Sequence, residues 1–466
     1  MTDLTDLVGA DLLVVSERYP PNAVGGAELS LHLTLAKLAS TWKIVVITFD
    51  DAHATQRRSV DGINVLAFPM LALRRRDLRG CVLYLLRECG VPASVRDLQR
   101  IPRRVKGVDS IGAGIVDCLS GRTIRDHRWL PKSGLETLVS RVAEHLRPAR
   151  IHADNYRAII YSAGYCATAG ALTTCMVRDN RFHCARENQS AVVKGKACTD
   201  CDLSCAALDA PEWAGLQQRV LHDVREHRSQ ALSSFDRVIV TSEYLRSSLG
   251  GDESVRVFGV VPNSVGDVDT IEALVEGVAE RPGYNLLVVG MLNSNKGQSA
   301  FLSAAVEWMQ DRGDVNVHFA GRGDREVTHL KLLACQHGVH ERVHFHGYLG
   351  RTKMFELYRE CDVAVAPVLW EEPFGRVPLE AGVVRKPCVA FGSGGLRESI
   401  VDGQTGFVVP KGDYEGLLAR LEELRCNPSL RRQMGDRGNE HVRRSYSSDV
   451  HIERFVRALS MDVQVE

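Results

Sequence analysis

No run of apolar residues in this chain approaches the roughly 20 that a membrane-spanning helix requires. The opening residues, Met1-Thr2-Asp3-Leu4-Thr5-Asp6, lack the basic start and apolar core of a secretory signal. Net charge is also missing: 58 Lys and Arg stand against 58 Asp and Glu. The composition therefore carries no global attraction to nucleic acid or to an anionic membrane. These absences make the cytoplasm the expected compartment. What is present is ordinary for a folded protein: 466 residues, 44% hydrophobic and 25% charged. That length suits two or three domains with sizeable cores. Thirteen cysteines are many for a reducing compartment, and four of them cluster.

The first half alternates short β-branched runs with helical periodicity. Asp11–Ser16 reads as a buried strand, followed by a loop with Pro20-Pro21 and Gly25-Gly26, then a helix over Leu29–Leu38. In a strand–glycine loop–helix layout, backbone N–H groups approach a phosphate or sugar; the plain alternative is a tight turn. Strands follow over Lys43–Phe49, Gly62–Phe68 and Thr173–Val177, with a further one at Val238–Ser242. Arg178 stands at the exit of the Thr173–Val177 strand.

Two segments break this rhythm. About 71–132 is rich in arginine with apolar residues interleaved, as in Val82-Leu83-Tyr84-Leu85-Leu86. It reads as an insertion with either a solvated basic face or peripheral contact with a membrane surface. The second segment holds Cys184, Cys198, Cys201 and Cys205, spaced C-x13-C-x2-C-x3-C. Four thiolates complete a closed tetrahedral zinc shell, so a structural zinc is expected there. An iron–sulfur cluster takes the same ligands, and free thiols or disulfides are the plain alternatives.

A boundary falls near Pro262–Gly283, where an acidic stretch over Asp267–Glu280 shows no clear strand. The strand–loop–helix pattern then restarts. Asn285–Val289 leads into Gly290-Met291-Leu292-Asn293-Ser294-Asn295-Lys296-Gly297 and a helix. A lysine beside a glycine at a helix N-terminus suits a diphosphate. Val315–Ala320 precedes Gly321-Arg322-Gly323, with a helix expected over Thr328–Cys335. Val363–Leu369 reads as a strand and runs into Trp370-Glu371-Glu372-Pro373-Phe374-Gly375-Arg376-Val377-Pro378-Leu379-Glu380. Pro378 fits the first turn of a helix, so Glu372, Gly375 and Glu380 fall at the carboxyl end of a strand, where open α/β sheets bind ligands. Gly394-Gly395, after Cys388–Phe391, is a second candidate phosphate cradle. The expected organisation is an α/β chain of two Rossmann-like domains. Residues 1–262 form the first, with insertions at about 71–132 and 184–205. Residues 263–447 form the second, and a helix in 448–466 crosses back.

Together and in order, Gly25-Gly26, Gly290 to Lys296-Gly297, Gly321-x-Gly323, Glu372-Pro373-Phe374-Gly375 to Glu380 and Gly394-Gly395-x-x-Glu398 resemble the retaining glycosyltransferases of family 4. The resemblance covers most of the chain and is weakest over about 71–132. It implies the GT-B fold, two Rossmann-like domains facing across a cleft, with a hexosyltransferase-type reaction. A UDP- or GDP-linked sugar would bind mainly the second domain. Glu372 would take the donor sugar hydroxyls, Glu380 the ribose, and the backbone around Phe374 and Gly375 the sugar. Lys296 would neutralise the leaving diphosphate, and Gly25 and Gly26 would let the first domain approach the phosphates. The resemblance implies front-face attack, with no protein nucleophile securely assigned in the family and no catalytic metal needed. The acceptor is unidentified, with a lipid-linked molecule or a glycan as candidates.

Two departures stand out. The family usually has arginine after the glycine at Gly290, where this chain has Met291. It often has histidine-aspartate where this chain has Arg178-Asp179. Arg178 is the candidate replacement cation, with Arg322 and Arg376 as others. A nucleotide-sugar epimerase and a non-catalytic sugar-nucleotide scaffold are the competing readings.

Overall fold

A computed structural model describes residues 4–21, 26–50, 56–69, 134–182, 226–250 and 255–460. Gly25, the basic stretch at about 71–132 and all four clustered cysteines lie outside the described residues. The chain divides into two units. One comprises Met1–Thr241, Leu245–Val260 and Phe455–Glu466; the other comprises Ser242–Tyr244 and Val261–Arg454.

The first unit is built on an eight-stranded sheet. Its strands are β1 (Leu12–Ser16), β2 (Ile44–Asp50), β3 (Gln56–Val60), β4 (Ile63–Pro69), β5 (Arg150–Asp154), β6 (Leu172–Val177), β7 (Arg237–Val240) and β8 (Val257–Val260). Their order is β3-β4-β2-β1-β5-β6-β7-β8. All neighbours are parallel except β3 and β4. Strands covered on both faces read as unbroken apolar runs, and every residue of β1 is buried. Helices α1 (Gly26–Leu38), α2 (Gly134–Leu146) and α3 (Tyr156–Cys166) accompany these strands, and α4 (Glu243–Leu249) follows β7. The unexpected strand is β3. Four of its five residues are polar and none is buried, so it carries no apolar signal. Its turn does carry one: Asp61 and Gly62 both have positive φ, 48° and 79°, as a two-residue Asp-Gly hairpin requires.

The second unit holds β9 (Tyr284–Val289), β10 (Val315–Ala320), β11 (Val343–Gly347), β12 (Val363–Ala366), β13 (Cys388–Phe391) and β14 (Gly406–Val409). They form one parallel sheet in the order β11-β10-β9-β12-β13-β14. This is the doubly wound order, in which the chain leaves its first strand in one direction and then returns to the other side. Each strand feeds two cores by the period of two. Val363 and Val365 enter one apolar cluster, Ala364 and Ala366 the other.

Helices α5 (Val268–Leu274), α6 (Gln298–Gln310), α7 (Asp324–Gln336), α8 (Arg351–Glu360), α9 (Val377–Val383), α10 (Tyr414–Cys426) and α11 (Pro428–Ser445) complete the second unit. The last helix, α12 (Ser448–Leu459), has its residues from Phe455 onward in the first unit.

Three local expectations change. The acidic stretch contains α5, whose Asp267 side chain accepts from the Thr270 N–H at 2.8 Å and so caps it. Helix α7 starts four residues early, with Asp324 and Glu326 in its first turn, where acidic side chains suit the helix dipole. Strand β12 stops at Ala366 because Pro367 has no N–H to continue the ladder.

Candidate functional site

In the doubly wound order, β9 and β12 are neighbours although the chain winds away from each in opposite directions. The crevice beyond their carboxyl ends is the expected ligand site of such a sheet. A pocket lies there, with about 360 Å³ of open space including its mouth. It is lined by Val288 and Val289 from β9, Lys296 and Gln298 from the loop and helix after it, Ala366 from β12 with Pro367 and Val368 just beyond it, and Glu372, Gly375, Arg376, Val377 and Leu396.

Backbone geometry brings the loops after these two strands together. Asn293 accepts from the Lys296 N–H at 3.2 Å and turns the chain. Gly297 follows at φ 74°, and a Cβ there would sit 2.0 Å from the Pro367 carbonyl oxygen. Only glycine fits both constraints. The Leu369 N–H donates to the Asn295 carbonyl at 2.9 Å. The two loops are thereby pressed together, and Lys296 meets Glu372, 76 residues away, at 2.5 Å. The same Glu372 oxygen, Oε2, accepts from the Trp370 indole N–H at 2.8 Å. The Lys296 ammonium lies 5.2 Å from the Trp370 ring centre. Both charged side chains keep some exposure, 23% for Lys296 and 15% for Glu372.

The backbone of Glu372 is fixed as well. Its carbonyl accepts from the Gly395 N–H at 2.7 Å, and the Gly394 N–H donates to Glu371 at 2.6 Å. Lys411 pairs with the other oxygen of Glu371. The N–H groups of the Gly394-Gly395 turn therefore anchor the acidic loop and are turned to it, not to a phosphate cradle. Glu398, four residues on from Gly394, accepts from the N–H groups of Glu243 and Tyr244 at 2.9 and 2.7 Å, residues grouped with this unit.

Glu380 lies in the first turn of α9. It accepts from Tyr358 Oη at 3.0 Å and from Arg376 Nε at 3.1 Å. Burial, reinforced by the charge of Glu380, pushes the Tyr358 phenol well above its usual range, so it stays a donor. The Phe374 ring is buried in the core, 6.0 Å from the Tyr446 ring. Its side chain is structural, which leaves its backbone to line a site. Gly375 leaves no room for a side chain: a Cβ would come within 1.9 Å of Leu396 Cδ1.

The ends of β9 and β10 touch backbone to backbone. Gly321 has φ 151°, and a Cβ on it would overlap the Gly290 carbonyl oxygen at 1.7 Å. Met291 projects here with 67% exposure. The Arg322 guanidinium stacks on the Tyr348 ring at 4.3 Å. Of the candidate replacement cations in this unit, Arg322 thus lies over an aromatic ring and Arg376 pairs with Glu380.

Arg178 belongs to the first unit, at the exit of β6. Its Nε and Nη2 donate to both oxygens of Asp154 at 2.7–3.0 Å. The exposures of the two side chains are 2% and 0%. Burial opposes ionisation of Asp154, but the Arg178 guanidinium and its hydrogen bonds, together with His152 at 3.6 Å, outweigh it and hold the carboxyl below its usual range. The charge expected of Arg178 for a diphosphate is therefore matched by Asp154. Close by, Asn155 holds φ 78° and ψ 161°, a conformation that costs a non-glycine residue energy. Its amide donates to Glu28 at 3.5 Å, and burial raises the Glu28 carboxyl above its usual range. Gly26, in the first turn of α1, lies two residues before Glu28.

Trp370, Tyr358 and Asp154 were not legible as site-associated residues. Trp370 is next to the acidic pair in sequence, and an indole N–H two residues from a carboxylate is the one local signal available. Tyr358 and Asp154 come from distant elements. Among the described residues no cluster of three His, Cys, Asp or Glu is positioned to hold a metal, and no helix is long and apolar enough to cross a membrane.

Residues 276–441 match the family model of glycosyl transferases group 1. The chain is 28% identical over 222 residues to the putative glycosyltransferase EpsD of Bacillus subtilis, covering 45% of this chain and 57% of EpsD. It is 32% identical over 186 residues to the phosphatidyl-myo-inositol mannosyltransferase of Mycobacterium leprae, covering 40% and 48%. The chain thus spans about half the length of these curated relatives. Among solved structures, HepE of Anabaena in complex with UDP and glucose superposes with a TM-score of 0.62 at 16% identity, covering 97% of this chain and 100% of HepE. Sucrose-phosphate synthase of Thermosynechococcus elongatus gives 0.61 at 17% identity, covering 96% and 97%. At that identity the likeness establishes the fold, which is GT-B. The stretch that matches the group 1 model, residues 276–441, makes up the greater part of the second unit and holds the residues that line the pocket.

Proposed function

We propose that this protein is a retaining glycosyltransferase that moves a hexosyl group from a UDP- or GDP-linked sugar to an acceptor hydroxyl. The observation that carries the reading is the Lys296–Glu372 pair in the pocket at the switch point of the stretch that matches the group 1 model. In such a transfer the acceptor oxygen attacks the anomeric carbon. The bond from that carbon to the diphosphate breaks, and the diphosphate leaves with both electrons. Lys296 stabilises the charge that develops on it. Glu372 accepts hydrogen bonds from the sugar hydroxyls. Glu380, oriented by Tyr358 and Arg376, accepts from the ribose. A diphosphate oxygen of the donor takes the acceptor proton on the same face, which retains configuration. Gly290, Gly321 and Gly375 let backbone approach the ligand, and the Gly394-Gly395 turn holds the acidic loop in place. Arg178 belongs to this reading as the partner of Asp154 and not as a second clamp. Gly25 and Gly26 keep the proposed role of admitting the phosphates.

The UDP complex of HepE supports a nucleotide-linked donor. The test is release of UDP or GDP from sugar nucleotides by the purified protein, with Glu372→Ala as control. Turnover that Glu372→Ala leaves intact defeats the reading, and tight binding without turnover points to a scaffold. Structural zinc on Cys184, Cys198, Cys201 and Cys205 is a separate proposal. Metal analysis of the purified protein decides it, and no step above depends on it.

A further inference from the structure

The groups proposed to hold the two halves of a donor neutralise each other. Lys296 and Glu372 are 2.5 Å apart, so a diphosphate that takes the Lys296 charge competes for it with Glu372. If nothing replaced the lysine, Glu372 would keep a partly buried carboxylate with one hydrogen bond fewer, which costs free energy. The replacement has to come from hydroxyl donors. A sugar nucleotide supplies both, phosphate for the lysine and hydroxyls for the glutamate. A bare nucleoside diphosphate supplies only the first.

Through this exchange something must hold Glu372 still, and Trp370 meets that need. Its indole N–H donates to Oε2, the oxygen that Lys296 also engages. Among the described residues no hydrogen bond reaches Oε1. The Trp370 ring is itself half-buried, packed against the apolar cluster that includes Phe374 and Leu379, and its carbonyl accepts from Ser393 Oγ. It is a braced donor on a rigid support. Its ring face also lies beside the ammonium, 5.2 Å away, where a cation–π attraction favours the cation. One side chain thus touches both partners of the pair.

We propose that Trp370 is a positioning residue: it holds Glu372 through its indole N–H while Lys296 exchanges from Glu372 to the donor diphosphate, so that the pocket favours complete sugar nucleotides over bare nucleoside diphosphates. This rests on the glycosyltransferase reading of the same pocket. The side chain acts through Glu372 and touches no reacting atom.

The experiment compares wild type, Trp370→Phe and Glu372→Gln. UDP, GDP, UDP-glucose and GDP-mannose are titrated by calorimetry, and turnover is followed by nucleoside diphosphate release. The wild type is expected to bind the sugar nucleotide that it uses at least tenfold more tightly than the matching bare diphosphate. In Glu372→Gln that gap closes, because the bare diphosphate binds several-fold more tightly once no carboxylate competes for Lys296. Trp370→Phe keeps a ring under the ammonium but loses the N–H. Its kcat is expected to fall roughly 10- to 100-fold, the equivalent of one hydrogen bond to a charged group, while its affinity for bare diphosphate stays within about twofold. Wild-type kcat in Trp370→Phe overturns the proposal. So does an unchanged bare-diphosphate affinity in Glu372→Gln. A parallel fall in melting temperature and in every affinity for Trp370→Phe makes the residue a packing element and also overturns it. If the wild type binds diphosphates but turns over no sugar nucleotide, the transferase reading fails, and the Glu372→Gln affinities still decide the exchange. No binding of UDP or GDP by the wild type removes both.

Discussion

Each unit places an ion pair at the carboxyl edge of its sheet, close to where the strand order reverses, and the two pairs are built oppositely. In the first unit Arg178 grips both oxygens of Asp154, and neither side chain has appreciable exposure. In the second, Lys296 meets a single oxygen of Glu372 and both keep access to solvent. Position in the topology is shared; exchangeability is not. A bidentate, fully desolvated pair cannot lose one member without stranding a buried charge. A partly buried pair with one contact can release its lysine to a ligand that replaces that contact. The second arrangement suits a site that must turn over, whereas the first suits a brace.

The largest effect expected from this difference lies in the first unit. Asp154→Ala should cost about 3–5 kcal/mol in urea unfolding by stranding the Arg178 guanidinium. The double change Asp154→Leu with Arg178→Met should recover much of that. A loss below about 1 kcal/mol for the single change would erase the contrast. Next in size is Lys296→Ala. It should lower kcat/KM for a sugar nucleotide by about 3–4 kcal/mol, or 10²- to 10³-fold, while urea unfolding changes by under about 1 kcal/mol, because both side chains keep access to solvent. A large stability loss would make Lys296–Glu372 a brace like its counterpart.

A smaller effect is expected from pH. His318 is buried between His344 and His346, with ring centres 4.6 and 5.3 Å away. Its Nδ1 faces His346 Nε2 at 3.0 Å and its Nε2 faces Asn285 Oδ1 at 3.1 Å. Burial, then the neighbouring histidines and Arg281, lowers its pKa from 6.5 to about 3. The native state therefore keeps the ring neutral while the unfolded chain protonates. Its contribution is full above about pH 6.5 and is lost as pH falls towards 3. Between pH 7 and 5 the second unit should lose about 1–2 kcal/mol, and His318→Leu should flatten that slope in a melting-temperature series. The smallest expected effect is a gain. Met291→Arg places a cation on the exposed side of the β9 loop and should tighten UDP or GDP binding by about 0.5–1 kcal/mol, read by calorimetry. No gain would mean that this position lies out of reach of the phosphates.

How far the sequence could be read varied with the kind of signal. β1, β9 and β13 announce themselves because strands buried on both faces are mostly apolar. β3 was invisible to hydrophobicity, since an edge strand such as Gln56–Val60 stays polar, and only its Asp61-Gly62 turn marks it. α5 was hidden by acidic composition, although Val268, Ile271 and Val275 are buried at helical spacing. In the site, Glu372, Glu380 and Lys296 were named from the sequence because motif and loop placement travel together. The partners that restrain them, Trp370, Tyr358 and Arg376, were not assigned those roles, since no local pattern says which side chain a carboxylate will face. Arg178 shows the converse: its place at a strand exit was legible, but its commitment to Asp154, 24 residues earlier, was not.

The sequence alone determined the alternation of strands and helices, the glycines that let loops approach one another, and the loops that carry the acidic and basic groups. These follow from periodicity and backbone sterics, which act over a few residues. Tertiary structure decided that β12 lies beside β9, which brings Glu372 to Lys296 across 76 residues, and that one unit buries its ion pair while the other leaves its own within reach of solvent. Strand adjacency and desolvation are properties of the packed sheet, and no short stretch of chain encodes either one.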